Sequence, residues 1–129
     1  MKEGIEAITT RALGLALDAA SLRQQAITTN IANAGVEGFV PLEVDFESQL
    51  RSAWQQSGKL RQLDPSALDR AQPRLQQVAT QDGLATSQRV RLDEQVAHMA
   101  QNGVHYQALA AGLTRHYAIL ALAAGDGRK

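Results

Sequence analysis

Along the first quarter of the chain a row of mostly small and aliphatic residues runs through Ile5, Ile8, Ala12, Leu15, Ala19, Leu22 and Ala26, closing on Thr29 and Asn33. The steps alternate three and four, the 3.5-residue repeat of a coiled-coil seam, and predict a helix over about residues 5–33. A second row, Leu13, Leu17, Ala20, Ile27 and Ile31, lies beside the first. Two adjacent rows make a face too wide for one neighbour to cover, so this helix expects more than one partner. At ~1.5 Å per residue it would be roughly 42 Å long.

The pattern returns at the other end of the chain. Leu92, Val96, Met99, Gly103, Tyr106, Ala110, Leu113, Tyr117, Leu120 and Ala124 again alternate steps of four and three. They predict a second long helix from about residue 92 to 124. Asp93 and Glu94 fall in its first turn, where carboxylates suit the positive end of the helix dipole. Gly125 and Gly127 end it.

Between the two the pattern weakens. Pro41 to Phe46 alternates outward and inward residue types and reads as a short extended segment. Residues 45–54 read as a short helix, with Asp45 as its cap and Phe46, Leu50 and Trp54 on one face. After Gly58 the apolar spacing decays, prolines interrupt and glutamine is abundant, so this stretch is expected to be loosely ordered. The expected architecture is all-α. Two long terminal helices, in segments 1–34 and 90–129, pack as an antiparallel coiled-coil-like hairpin. Residues 35–89 supply a turn, the short helix and extended segment, and the loose middle. The hairpin is the cheapest way to hide both seams, with the residual apolar rows left for other copies.

Composition sharpens this picture. Apolar residues make up 44% of the 129 but aromatics only 4%, so the core is a helix–helix seam built mainly from alanine and leucine. The formal net charge is +0 and no basic stripe exists, which leaves nucleic-acid binding without its electrostatic footprint. Glu37, Glu43, Asp45 and Glu47 form a local acidic stretch, read as a solvated edge or a contact for a basic neighbour. There are no cysteines, hence no disulfide framework and no thiolate chemistry. The N-terminus lacks the apolar core and cleavage site of a secretory signal, and no uninterrupted apolar run approaches ~18 residues.

Catalytic chemistry finds no constellation. His98 and His105 share a helix face but stand roughly 10 Å apart along the axis, too far to share one metal ion. The zincin HExxH pattern is absent, and no glycine-rich phosphate loop or nucleophile elbow can be placed. No enzyme activity, cofactor, metal or small-molecule substrate is expected. The tyrosines Tyr106 and Tyr117 lie on the C-terminal seam and read as packing residues.

The densest local signal is Thr29 to Pro41, TNIANAGVEGFVP. Asn30 and Asn33 stand at the helix end, where an asparagine amide can satisfy orphan backbone groups and help steer the chain out. Gly35 and the pair Gly38-Phe39 then break the helix. This string resembles the N-terminal signature of the bacterial flagellar rod/hook family, an NIAN helix end, a short turn and a Gly-aromatic pair. Ala34 to Glu37 stand where that family has Thr or Asp-Thr-Pro. The C-terminal stretch LDEQVAHMAQNGVHYQAL, with Asp93-Glu94 and Tyr106-Gln107-Ala108-Leu109 in register, is similar to the last helix of the family's proximal-rod members. The segment from Val44 to Leu50 resembles their continuation after the turn. The matches cover roughly residues 10–54 and 90–125.

The resemblance implies a structural, motility-related subunit of the flagellar basal body that polymerises into the axial shaft, with its terminal helices lining the core. It implies export as an unfolded chain through the flagellar type III apparatus, without a cleavable signal, to the periplasmic rod. The implied partners are other copies, other rod proteins, the ring–rod adaptor and the membrane-ring base. Asn30, Asn33, Gly35, Gly38 and Phe39 would form the signature turn. Ile8, Leu15, Leu22, Leu92, Val96, Met99, Tyr106, Leu113, Tyr117 and Leu120 would form the assembly seam. A helical-hairpin adaptor or export chaperone for another helical partner is the competing reading.

Overall fold

A computed structural model describes residues 2–57, 65–78 and 90–126. The chain order is α1 (Lys2–Ala32), β1 (Leu42–Asp45), α2 (Glu47–Ser57), α3 (Pro65–Arg70), β2 (Arg74–Gln77) and α4 (Leu92–Asp126). The terminal helices α1 and α4 pack against each other and are the longest elements, with 31 and 35 residues. Both are rich in alanine and leucine, which lose little side-chain entropy in a helix.

The two rows of α1 have different partners. The row containing Leu15 and Ala19 is buried against Phe46 and Leu68, with Ile8, Ala12, Ala16, Val44 and Leu50 around them. The chain between the helices therefore folds back onto α1. On the α4 side, Ala20, Ile27 and Asn30 are buried. One wide face is thus divided between two neighbours.

The middle holds more structure than its composition predicts. Residues 58–64 and 79–89 of the stretch expected to be loose lie outside the described residues. Between them, Pro65 opens α3 at a first-turn position, where its missing N–H costs nothing. Leu68 is 1% exposed, and Ala67 and Ala71 pack on Ala53 of α2. β2 follows and pairs antiparallel with β1, in register Leu42↔Gln77 through Asp45↔Arg74. The Val78 N–H extends the pairing to the Pro41 carbonyl at 2.9 Å. β2 reads RLQQ and all four residues are exposed, so no alternating apolar pattern marks it as a strand.

The short helix α2 sits one to three residues later than expected, and its inner face is different. Phe46 is buried and Leu50 half-buried, but Trp54 is 62% exposed while Ala53 is buried. Small residues on both sides decide this: alanine against alanine lets α2 and α3 approach closely, which an indole at the contact would prevent. Asp45 is the last residue of β1 and not the cap expected of it: the Phe46 carbonyl accepts the first helical bond, from the Leu50 N–H at 2.9 Å, and the Asp45 carboxylate accepts from the Ser48 hydroxyl. Glu47 of the acidic stretch pairs with Arg23 of α1 within the same chain, and Glu43 accepts from Gln76 across the strands at 2.9 Å.

The contact between α1 and α4 also differs from the sequence pattern. The half-buried residues Met99, Leu113 and Leu120 of the expected seam share the α4 contact stripe with Gln95, Asn102, Leu109 and His116. Leu92, Val96, Tyr106 and Tyr117 are exposed beside that stripe. Polar side chains that find partners on α1 draw the stripe toward themselves. Asn102 donates to the Ala20 carbonyl at 2.9 Å and to Gln24 Oε1 at 3.3 Å. His116 Nε2 lies 3.1 Å from the Thr10 hydroxyl, and Gln95 meets Asn30 at the opposite end. These three contacts, in reverse chain order, fix the antiparallel register.

At the start of α4, the Glu94 backbone N–H and then the Arg91 guanidinium hold the Asp93 carboxyl below the ordinary aspartate value. A lowered pKa means its contribution is present above the unfolded value and is lost as pH falls through the folded one. Fraying of the first α4 turn is therefore expected below pH ~4, and Asp93→Asn should flatten that dependence. Amide exchange at residues 93–96 across the acid range would reveal it. An unchanged profile in the variant would discard Asp93 as the cause.

Candidate interaction surface

The signature segment forms a clasp. Asn30 is 2% exposed. Its Oδ1 accepts from the Leu42 N–H at 2.8 Å, and its Nδ2 donates to the Leu42 carbonyl at 2.9 Å. The carboxamide thus pairs with one residue of β1 as a neighbouring strand would. Nδ2 also donates to Gln95 Oε1 at 3.2 Å. One side chain therefore joins the end of α1, the outer edge of β1 and the first turns of α4. A buried carboxamide serves here because it carries both a donor and an acceptor in the spacing of a peptide group.

Asn33 works locally. Its Nδ2 donates to the Thr29 carbonyl at 2.8 Å, the same carbonyl that accepts its own backbone N–H at 3.1 Å. The chain then leaves the helix through successive tight turns, with Val36 N–H to Asn33 O and Phe39 N–H to Val36 O. Of the two glycines expected to break the helix, only Gly38 takes the left-handed backbone, at φ 79°. Gly35 does not. Phe39 is half-buried.

Below the clasp, α1, β1 and the N-terminal half of α4 enclose a groove of about 470 Å³. Ala26, Ile27, Leu42 and Val44 give it apolar walls, and Arg23, Glu43, His98, Gln101 and His105 ring it. The sequence pattern placed His98 and His105 on one helix face, as solvated or packing residues. The fold brings both to one groove beside Arg23, a juxtaposition no local signal announces. Among the described residues, no three His, Cys, Asp or Glu side chains come close enough to hold a metal ion.

The remaining surface feature is α4. Leu92, Val96, Tyr106 and Tyr117 run along one flank of its contact stripe, and Val104, Ile119 and Leu122 are exposed elsewhere on it. Leu122 is 72% exposed. Of the expected seam on α1, Leu15 is buried in the core, and Ile8 and Leu22 are half-buried. Although no uninterrupted apolar run approaches ~18 residues, α4 is by length and average composition long and apolar enough to cross a membrane. Its apolar residues are interspersed with Gln, His and Arg, and they reach half-burial at Met99, Leu109, Leu113 and Leu120. No family model, curated protein or solved structure matches the chain.

Proposed function

We propose that the chain is a structural subunit of the proximal rod of the bacterial flagellum, of the FlgB type. In this reading it is exported unfolded and polymerises in the periplasm against other copies and other rod proteins. The ring–rod adaptor and the membrane-ring base are its neighbours at one end. The observation that carries the reading is the pairing of the two terminal helices with an apolar flank of α4 left uncovered. Leu92, Val96, Tyr106 and Tyr117 occupy seam positions yet lie exposed in the single chain, as residues reserved for a neighbour would. The two-ended resemblance to the rod/hook family supplies the identity of that neighbour.

Deleting the gene should remove the rod and abolish swimming, and electron microscopy of basal bodies reads this directly. Intact rods in the deletion strain would end the proposal. A finer test is Tyr117→Asp. The side chain is exposed, so the isolated variant should keep its thermal stability within about 0.5 kcal/mol. Incorporation into rods should nonetheless be lost. Normal motility in that strain would remove α4 from the assembly contact.

The groove favours a second reading, a hairpin adaptor or export chaperone that receives part of another helical protein between α1, β1 and α4. That function predicts a stable soluble dimer or a one-to-one complex, whereas a rod subunit sediments as a monomer until it polymerises.

A further inference from the structure

Asn102 is followed by Gly103 inside α4. A glycine within a helix costs about 1 kcal/mol relative to alanine. Nothing lies within 4 Å of the point where a Cβ would sit at Gly103, so packing does not require it. Its backbone is not in the left-handed region either. What glycine does supply is an unhindered backbone nitrogen next to an asparagine. That is the arrangement in which the following nitrogen most readily attacks the carboxamide.

The folded hairpin blocks that attack in two ways. Helical geometry holds the Gly103 nitrogen away from the Asn102 side chain and commits its N–H to the α4 ladder. The carboxamide is itself 7% exposed, with Nδ2 bonded to the Ala20 carbonyl and Gln24 Oε1. Separation of α1 from α4 removes the second restraint, and local unwinding of α4 removes the first.

We propose that Asn102–Gly103 is a latent deamidation site guarded by the α1–α4 hairpin, whose conversion prevents the hairpin from closing again in its native register. In the open chain the Gly103 nitrogen loses its proton and bonds to Asn102 Cγ. The Cγ–Nδ2 bond breaks, and the nitrogen leaves as ammonia, taking up a proton. The resulting five-membered succinimide is opened by one water molecule at either carbonyl, giving aspartate or isoaspartate. The net change is consumption of one water and release of one ammonia, with no oxidant or reductant. An aspartate at this place has no N–H to offer. Its carboxylate would face the Ala20 carbonyl and Gln24 Oε1, two acceptors, in a buried contact. Isoaspartate adds a methylene to the backbone and interrupts α4. The step needs only that α1 and α4 come apart and that α4 unwinds locally at Asn102–Gly103, and it is independent of what the chain assembles with.

The test uses the full-length protein at mildly alkaline pH, with and without urea. Tryptic digestion and mass spectrometry of the peptide Leu92–Arg115 follow the amide-to-acid conversion, and isoaspartyl methyltransferase labelling identifies the rearranged product. Conversion should be at least ~10-fold slower in the native protein, because only the open fraction reacts. Gly103→Ala should slow it in urea by at least ~10-fold, since the added methyl hinders the attacking nitrogen. Equal rates with and without urea would overturn the protection. Absence of conversion at Asn102 in urea would overturn the site. Asn102→Asp should lower the thermal midpoint of the native chain or abolish its transition, and an unchanged midpoint would overturn the block to reclosure.

Discussion

Phe46→Ala is expected to destabilise the fold by about 3–5 kcal/mol, the cost of truncating a buried phenylalanine in a site that cannot fully collapse. Phe46 is the one aromatic among the buried hydrophobic residues, and it sits where Leu15 and Ala19 of α1 meet Leu68 of α3. Ala19 on one side is too small to move into the space. Stability is therefore lost where the middle of the chain attaches to α1, while the α1–α4 contact on the other side of α1 is left in place. Urea denaturation followed by circular dichroism should show a large drop in midpoint. Trp54→Ala is the matched control, because the larger indole is exposed and its removal should change stability by no more than about 0.5 kcal/mol. Equal losses in the two variants would mean that α2 packs by the face carrying Trp54.

Asn30→Ala is expected to cost about 2–4 kcal/mol, chiefly through the groups it abandons. The Leu42 N–H and carbonyl each lose their partner at a part-buried strand edge, and each stranded group is worth about 1–3 kcal/mol. Gln95 loses its contact as well. The effect should be local in hydrogen exchange: Leu42 and its neighbours in β1 lose protection, while residues near His116 keep theirs. Asn30→Asp should not rescue. Its carboxylate still accepts from Leu42 N–H but cannot donate to the Leu42 carbonyl or to Gln95, and it introduces a buried charge. Uniform loss of protection along both helices in Asn30→Ala would refute a clasp that acts at one end.

Asn30, Asn102 and His116 together explain why the hairpin takes one register. Alanine and leucine rows can slide past one another at little cost, since successive positions are nearly equivalent. A polar group that must meet a specific partner penalises every other register, as a single buried asparagine does in coiled coils. The positions of these residues explain where the sequence pattern misdirected the seam. Heptad counting placed the α4 contact on Leu92, Val96, Tyr106 and Tyr117 together with Met99, Leu113 and Leu120; the last three do lie in it, and the first four are exposed. The contact lies one side over, because Asn102, with two acceptors on α1, cannot be left facing an apolar surface or an empty one.

The middle segment was hidden for a related reason. α3 has six residues, too few to display helical periodicity, and β2 is a polar strand exposed along its length. Neither has a hydrophobic pattern of its own. Leu68 is buried because α1 and Phe46 are there to receive it, and β2 extends because β1 offers it backbone partners. The candidate surface divides likewise. Asn30 and Asn33 stood out in sequence as unusual residues at a helix end. That one clasps a strand while the other bonds within its own helix could not be read from their spacing.

The sequence by itself determined two long terminal helices, a break after Asn33 that leads to an extended segment and a short helix, and a face on α1 too wide for one neighbour. These follow from near-neighbour physics: side-chain periodicity, helix propensity and the backbone preferences of asparagine and glycine. Only the tertiary structure decided which rows meet, that Trp54 is exposed and Ala53 buried, that a strand forms at Arg74–Gln77, and that His98 and His105 share a groove with Arg23. Each of those depends on a group far away in the chain, whose presence turns a polar side chain from a cost into a bond or a small side chain into a close contact.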